Sequence, residues 1–90
     1  MPVIENTVVV TNKVGLHARP ATRFVQEAAR FQAQIQVQYG EKSANAKSIL
    51  AVLKLGASQG ATLLIRADGA DAAEAVQALV SLIESKFGET

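Results

Sequence analysis

From Gln34 to Tyr39 the chain alternates polar and apolar without a break. A period of two marks a strand with one buried and one wet face. Here Ile35, Val37 and Tyr39 form the buried set, and the three glutamines face solvent. Such a strand implies an antiparallel sheet left open on one side. Gly40-Glu41-Lys42 reads as a turn, and residues 43–46 as a short return strand that completes a hairpin.

The remaining pattern frames this hairpin. Residues 3–11, rich in β-branched side chains, read as a first strand. The run Val8-Val9-Val10 does not alternate, so its two faces stay open at this point. Residues 18–31 carry apolar positions at helical spacing (Ala21, Val25, Ala28 and Phe24, Ala28, Phe31), with Arg23, Gln26, Glu27 and Arg30 on the solvated side. Residues 48–55 predict a short helix with Ser48 as N-cap and Gly56 as its stop. Its Ile49, Leu50, Val52, Leu53 and Leu55 are too many for one buried stripe, so part of the set is expected at the surface. Thr62 to Ala67 is a near-continuous apolar run suited to the centre of a sheet. A last helix is expected over 72–86, started by Asp71 and Glu74 as a capping box, with Ala72, Val76, Leu79 and Ile83 buried, Lys86 in its last turn and Gly88 as its stop. The order β-α-β-β-α-β-α predicts an α+β fold: an open-faced two-layer sandwich with a four-stranded antiparallel sheet and three helices on one face. Residues 1–90 are read as a single domain.

Gly15-Leu16-His17-Ala18-Arg19-Pro20 joins the first strand to the first helix and holds the only histidine. Pro20 is tolerated only in a first turn, which puts the helix start at His17 or Ala18. First-turn N–H groups lack intrahelical acceptors and favour anions. Arg19 adds a permanent cation whose forked donors suit phosphate oxygens. A neutral imidazole there is a nucleophile beside a phosphate-sized anion site, a pattern that suits phosphoryl transfer onto histidine.

Gly15-Leu16-His17-Ala18-Arg19-Pro20-Ala21 resembles the active-site signature of the HPr family, the histidine-containing phosphocarriers of the bacterial phosphoenolpyruvate:sugar phosphotransferase system. Asn45-Ala46-Lys47-Ser48-Ile49-Leu50, followed by Leu55-Gly56, is similar to that family's regulatory-serine segment, and the two motifs lie at the family's separation. The resemblance covers essentially the whole chain. It implies that His17 takes a phosphoryl group from phospho-enzyme I, charged by phosphoenolpyruvate, and passes it to sugar-specific enzyme IIA domains. It implies that Arg19 neutralises charge in transit, with the N–H groups of Ala18 and Arg19 on the phosphate oxygens. Ser48 matches the serine modified by HPr kinase/phosphorylase, and Ile49, Leu50 and Leu53 match the apolar docking patch for partners. A catabolite-control transcription regulator is a further implied partner. The strand arrangement implied has the first strand beside the fourth, the fourth beside the second and the second beside the third. Three positions depart from the family's habit: Val14 where a small polar residue is common, Leu53 for Met or Gln, and Lys54 for Ser or Thr. They bear on one hydrogen bond near the phosphate and on partner preference. A purely regulatory module that works through Ser48 is the competing reading, and the presence of His17 argues for the carrier.

Composition narrows the partners. The net charge is +1 with no basic run, and there are four aromatic residues, three Phe and one Tyr. Nucleic acids and anionic membranes need clustered Lys and Arg, so neither is expected as a partner. With no cysteine and one histidine, no metal or other cofactor is expected. No apolar run approaches the ~20 residues of a membrane span, and no signal-peptide pattern opens the chain. The expectation is a cytoplasmic monomer that carries phosphoryl groups without being an enzyme.

Overall fold

The glutamine strand behaves as its period dictates. In a computed structural model, which describes residues 3–88, it is β2 (Gln34–Tyr39), with Ile35 and Val37 buried, its glutamines exposed and Tyr39, at the strand end, only half-buried rather than buried as expected. β1 (Val3–Val9) and β3 (Lys42–Asn45) form the sheet edges, and β4 (Thr62–Asp68) lies between β1 and β2. The order β1-β4-β2-β3 is antiparallel throughout. Registers such as Val8 opposite Leu63, and Val37 opposite both Ile65 and Ala44, put the buried side chains of all four strands on one face.

Helices α1 (Ala18–Ala28), α2 (Ile49–Lys54) and α3 (Ala72–Glu84) cover that face. Ala21, Phe24 and Ala28 enter the core from α1, Val52 from α2, and Ala72, Ala75, Val76, Leu79 and Ile83 from α3. Alanine at so many contact positions lets helix and sheet backbones approach closely, and the aromatic bulk comes from Phe24 and Phe87, the largest fully buried side chains. On the open face Arg66 and Glu5 pair at 3.7 Å, both well exposed, an arrangement that contributes little to stability.

Several element ends differ from the pattern. β1 stops at Val9, but Val10 stays buried and its N–H donates to the Ala61 carbonyl at 2.8 Å. In the valine run Val8 and Val10 face inward and Val9 outward. α1 ends at Ala28 rather than residue 31, and its core contact is Phe24, with Val25 and Phe31 only half-buried. Asp71 is not a side-chain cap. Its two carboxylate oxygens instead accept from the N–H groups of Gln32 and Ala33, at 2.9 Å each. Donation by Gln32 leads in holding this carboxyl below its ordinary value, with Ala33 and the nearby Lys47 acting in the same direction. α3 ends at Glu84, so Lys86 is outside the last turn. Lys86 and Phe87 then adopt left-handed backbone angles (φ 58° and 57°), which turns the Phe87 ring into the core.

Candidate functional site

The loop before α1 is fixed at three points. The buried Asn12 side chain donates to the Gly15 carbonyl at 2.9 Å, and the Gly15 N–H returns to the Asn12 carbonyl at 3.2 Å. The Leu16 N–H donates to the Ala57 carbonyl at 2.9 Å, and the Leu16 side chain is buried. Gly15 has φ +64°, and a Cβ there would lie 2.6 Å from both the Ala57 carbonyl oxygen and the Ser58 Cα. Only glycine fits a left-handed turn pressed so closely on another backbone segment.

His17 follows as the N-cap of α1, in extended conformation (φ −83°, ψ −174°) and exposed. Its carbonyl accepts from the Ala21 N–H at 2.8 Å, but its imidazole makes no capping bond. The side chain is therefore presented to solvent rather than consumed by the fold. Ala18 and Arg19 lie in the first turn, where N–H groups have no intrahelical acceptor, and Pro20, the third helical residue, has none to offer. Pro20 is buried and acts through the backbone. Arg19 is exposed, and it takes part in neither ion pair among the described residues. An imidazole, two first-turn N–H groups and a guanidinium outside both ion pairs of the described residues can together receive a phosphate-sized anion.

Ser48 is the N-cap of α2, half-buried, with its Oγ accepting from the Ala51 N–H at a long 3.4 Å. The Asn45 side-chain carbonyl accepts from the Lys47 N–H at 2.9 Å and sets the entry to the helix. The Lys47 ammonium donates to the Phe31 carbonyl at 2.6 Å, which ties this entry to the end of α1. Of the apolar set on α2, Val52 is buried, Ile49 and Leu53 are half-buried, and Leu50 is 69% exposed. Helix α2 packs against α1. Val14, with no polar group to offer, is 56% exposed one residue before Gly15.

The family model of the PTS HPr component phosphorylation site matches residues 4–85. The chain belongs to the HPr family. Phosphocarrier protein HPr of Xylella fastidiosa is 43% identical over 86 residues, which are 96% of this chain and 97% of that one. An HPr structure from Thermoanaerobacter tengcongensis superposes with a TM-score of 0.94 at 53% identity, covering 97% of this chain and 98% of that chain. An HPr dimer from the same organism matches at 0.78 with 54% identity, covering 91% and 94%. HPr membership brings the phosphocarrier role in the phosphotransferase system.

Sequence reasoning missed part of this HPr surface. Thr11, Asn12, Lys13, Val14, Arg19, Gln59, Lys86 and Gly88 line an open cavity of about 590 Å³. Its residues come from four separate stretches, so no local motif announces it.

Proposed function

We propose that His17 is the group that carries the phosphoryl, taking it from phospho-enzyme I and giving it to enzyme IIA domains during sugar uptake. One observation supports this above the others: the only histidine is an exposed helix N-cap whose imidazole the fold does not use. In the accepting step a bond forms between an imidazole nitrogen, Nδ1 by family resemblance, and phosphorus. The bond from phosphorus to the donor breaks, and its electron pair stays with the donor. The N–H groups of Ala18 and Arg19 and the guanidinium of Arg19 hold the equatorial oxygens, since such transfer is mainly positioning and charge stabilisation. Every element that holds the phosphate works equally in the return direction, as a reversible carrier requires. The chain is thus a substrate and donor of phosphotransferases rather than a catalyst with turnover of its own, and we infer a cytoplasmic monomer. A dimer has been captured for the Thermoanaerobacter tengcongensis relative, and light scattering on this chain tests the monomer directly.

The test of the carrier is incubation with enzyme I and phosphoenolpyruvate, followed by intact mass. A single phosphate, lost in acid and absent from His17→Ala, supports the reading. A folded protein that stays unphosphorylated with active enzyme I refutes it.

Ser48 supports a second, compatible role as the target of HPr kinase/phosphorylase, with a catabolite-control regulator as reader. A phosphate at a helix N-cap meets the favourable end of the dipole, and Ser48 is next to the exposed Leu50 of the apolar patch with Ile49 and Leu53. Phosphorylation there adds charge at the docking surface and weakens docking. A Ser48→Asp variant with unchanged enzyme I kinetics would count against this.

A further inference from the structure

The cavity bordered by Thr11, Asn12, Lys13, Val14, Arg19, Gln59, Lys86 and Gly88 concentrates charge that the rest of the molecule does not. Three of its eight residues are cations, and no carboxylate is among them. The whole chain has nine Lys and Arg against eight Asp and Glu, so one third of its cations border one concavity. A fourth cation, Arg23, is close to the lining residue Gly88, where a Cβ would lie 3.2 Å from its Nη1. Among the described residues that line the cavity no carboxylate offsets these cations, and like charges so gathered raise one another's energy unless an anion offsets them.

The backbone is strained to bring Lys86 there. Lys86 and Phe87 both occupy the left-handed region (φ 58° and 57°), a conformation that bulky residues seldom adopt and that persists only where the surroundings enforce it. Burial of the Phe87 ring in the core supplies that enforcement. The same turn takes Lys86 out of the last turn of α3, where it would have offset the helix dipole, and sets it on the cavity wall. Residues 11–14, already fixed by the Asn12–Gly15 bonds, also line the cavity.

We propose that this cavity is a second anion site, distinct from the His17 site but sharing Arg19 with it, and that its ligand is a phosphate dianion borne by a small metabolite. A doubly charged phosphate suits two ammoniums and one guanidinium fork better than a single carboxylate does. A volume of about 590 Å³ holds a phosphate with a short organic body, and the exposed Thr11 and Gln59 supply neutral polar contacts for hydroxyls. Because Arg19 serves both sites, occupancy draws it from the carrier histidine and slows phosphorylation. That last consequence rests on the carrier reading, whereas the binding itself does not.

The experiment is a two-dimensional NMR titration of the full ¹⁵N-labelled chain with glycerol 3-phosphate and with inorganic phosphate, against glycerol and sodium chloride at matched ionic strength. The expected result is saturable shifts at residues 11–14, Gln59 and 86–88, with binding weakened about tenfold or more in the Lys13→Gln, Lys86→Gln double variant. Tighter binding of glycerol 3-phosphate assigns the site to a phosphorylated metabolite, and equal binding assigns it to free phosphate. Shifts that match sodium chloride, stay confined to Ala18 and Arg19, or persist unchanged in a folded double variant overturn the proposal. Binding kept in His17→Ala separates this test from the fate of the carrier reading.

Discussion

Gly15 and Gly56 have the same backbone angle, φ +64°, yet their surroundings differ completely. At Gly56 a Cβ meets nothing within 4 Å, whereas at Gly15 it meets the Ala57 carbonyl oxygen and the Ser58 Cα at 2.6 Å. Alanine at either position suffers the left-handed penalty of about 1 kcal/mol, so Gly56→Ala isolates that term. Gly15→Ala must in addition push the 57–58 backbone away, and the first casualty is the 2.9 Å bond from the Leu16 N–H to the Ala57 carbonyl. Leaving two buried backbone groups poorly paired costs about 2 kcal/mol more, giving about 3 kcal/mol in all. For a domain of this size the midpoint of thermal unfolding falls by about 12–24 °C for Gly15→Ala and by about 4–8 °C for Gly56→Ala. The displaced segment also sets where His17 begins its helix. On the carrier reading proposed above, Gly15→Ala therefore slows phosphorylation by enzyme I even at temperatures where it is folded, and Gly56→Ala does not. Equal losses of stability in the two variants would refute the close-approach argument, since only the shared backbone term would then be operating.

Other consequences can be measured on the same material. Phe87 is 1% exposed, so Phe87→Ala should cost about 3–5 kcal/mol in urea denaturation, and a cost below about 1 kcal/mol would mean that the ring is not part of the core. The Asp71 carboxyl is held below the ordinary 3.8 by the Gln32 and Ala33 N–H groups, so its contribution to stability is present above that pH and is lost as pH falls through the lower folded-state value. The stability gap between the wild type and Asp71→Asn is accordingly constant near neutrality and shrinks on acidification below 3.8, and a gap that widens there would refute the assignment. Leu50→Ala should change stability by less than about 0.5 kcal/mol yet weaken binding to enzyme I. Val52→Ala, two positions on and fully buried, should do the reverse, costing about 2 kcal/mol.

What could be read in the chain beforehand is what local physics decides. The alternation of Gln34–Tyr39 has one structural solution, and β2 follows it. A glycine followed five residues later by a proline brackets a helix start, so His17 falls at the N-cap of α1, just as Ser48 falls at that of α2. The arrangement of the strands came from family resemblance and the cavity from neither source, because both depend on residues far apart in sequence. Asp71 shows how a correct local rule loses. As a cap it could satisfy one orphan N–H at its own helix. Across 38 and 39 residues it finds two N–H groups, of Ala33 and Gln32, each at 2.9 Å, and two charge-assisted bonds outweigh one. The α-helical ladder of α1 is already lost at Arg30 and Phe31, whose N–H groups donate three residues back to Glu27 and Ala28. The N–H groups of Gln32 and Ala33 are then committed to the Asp71 carboxylate just before α3, cannot donate back along the first helix, and lead the chain into β2. Phe87 repeats the pattern at the other end of the molecule. By local propensity it is a residue past a helix, in a backbone region where an aromatic is unwelcome. Burial of a whole ring, worth about 2 kcal/mol or more, overrides that preference and brings Lys86 to the cavity wall beside Arg19. Long-range contacts of this kind determine which cations line the cavity that includes Arg19, so this chain can keep the family's signature while setting charges of its own beside it.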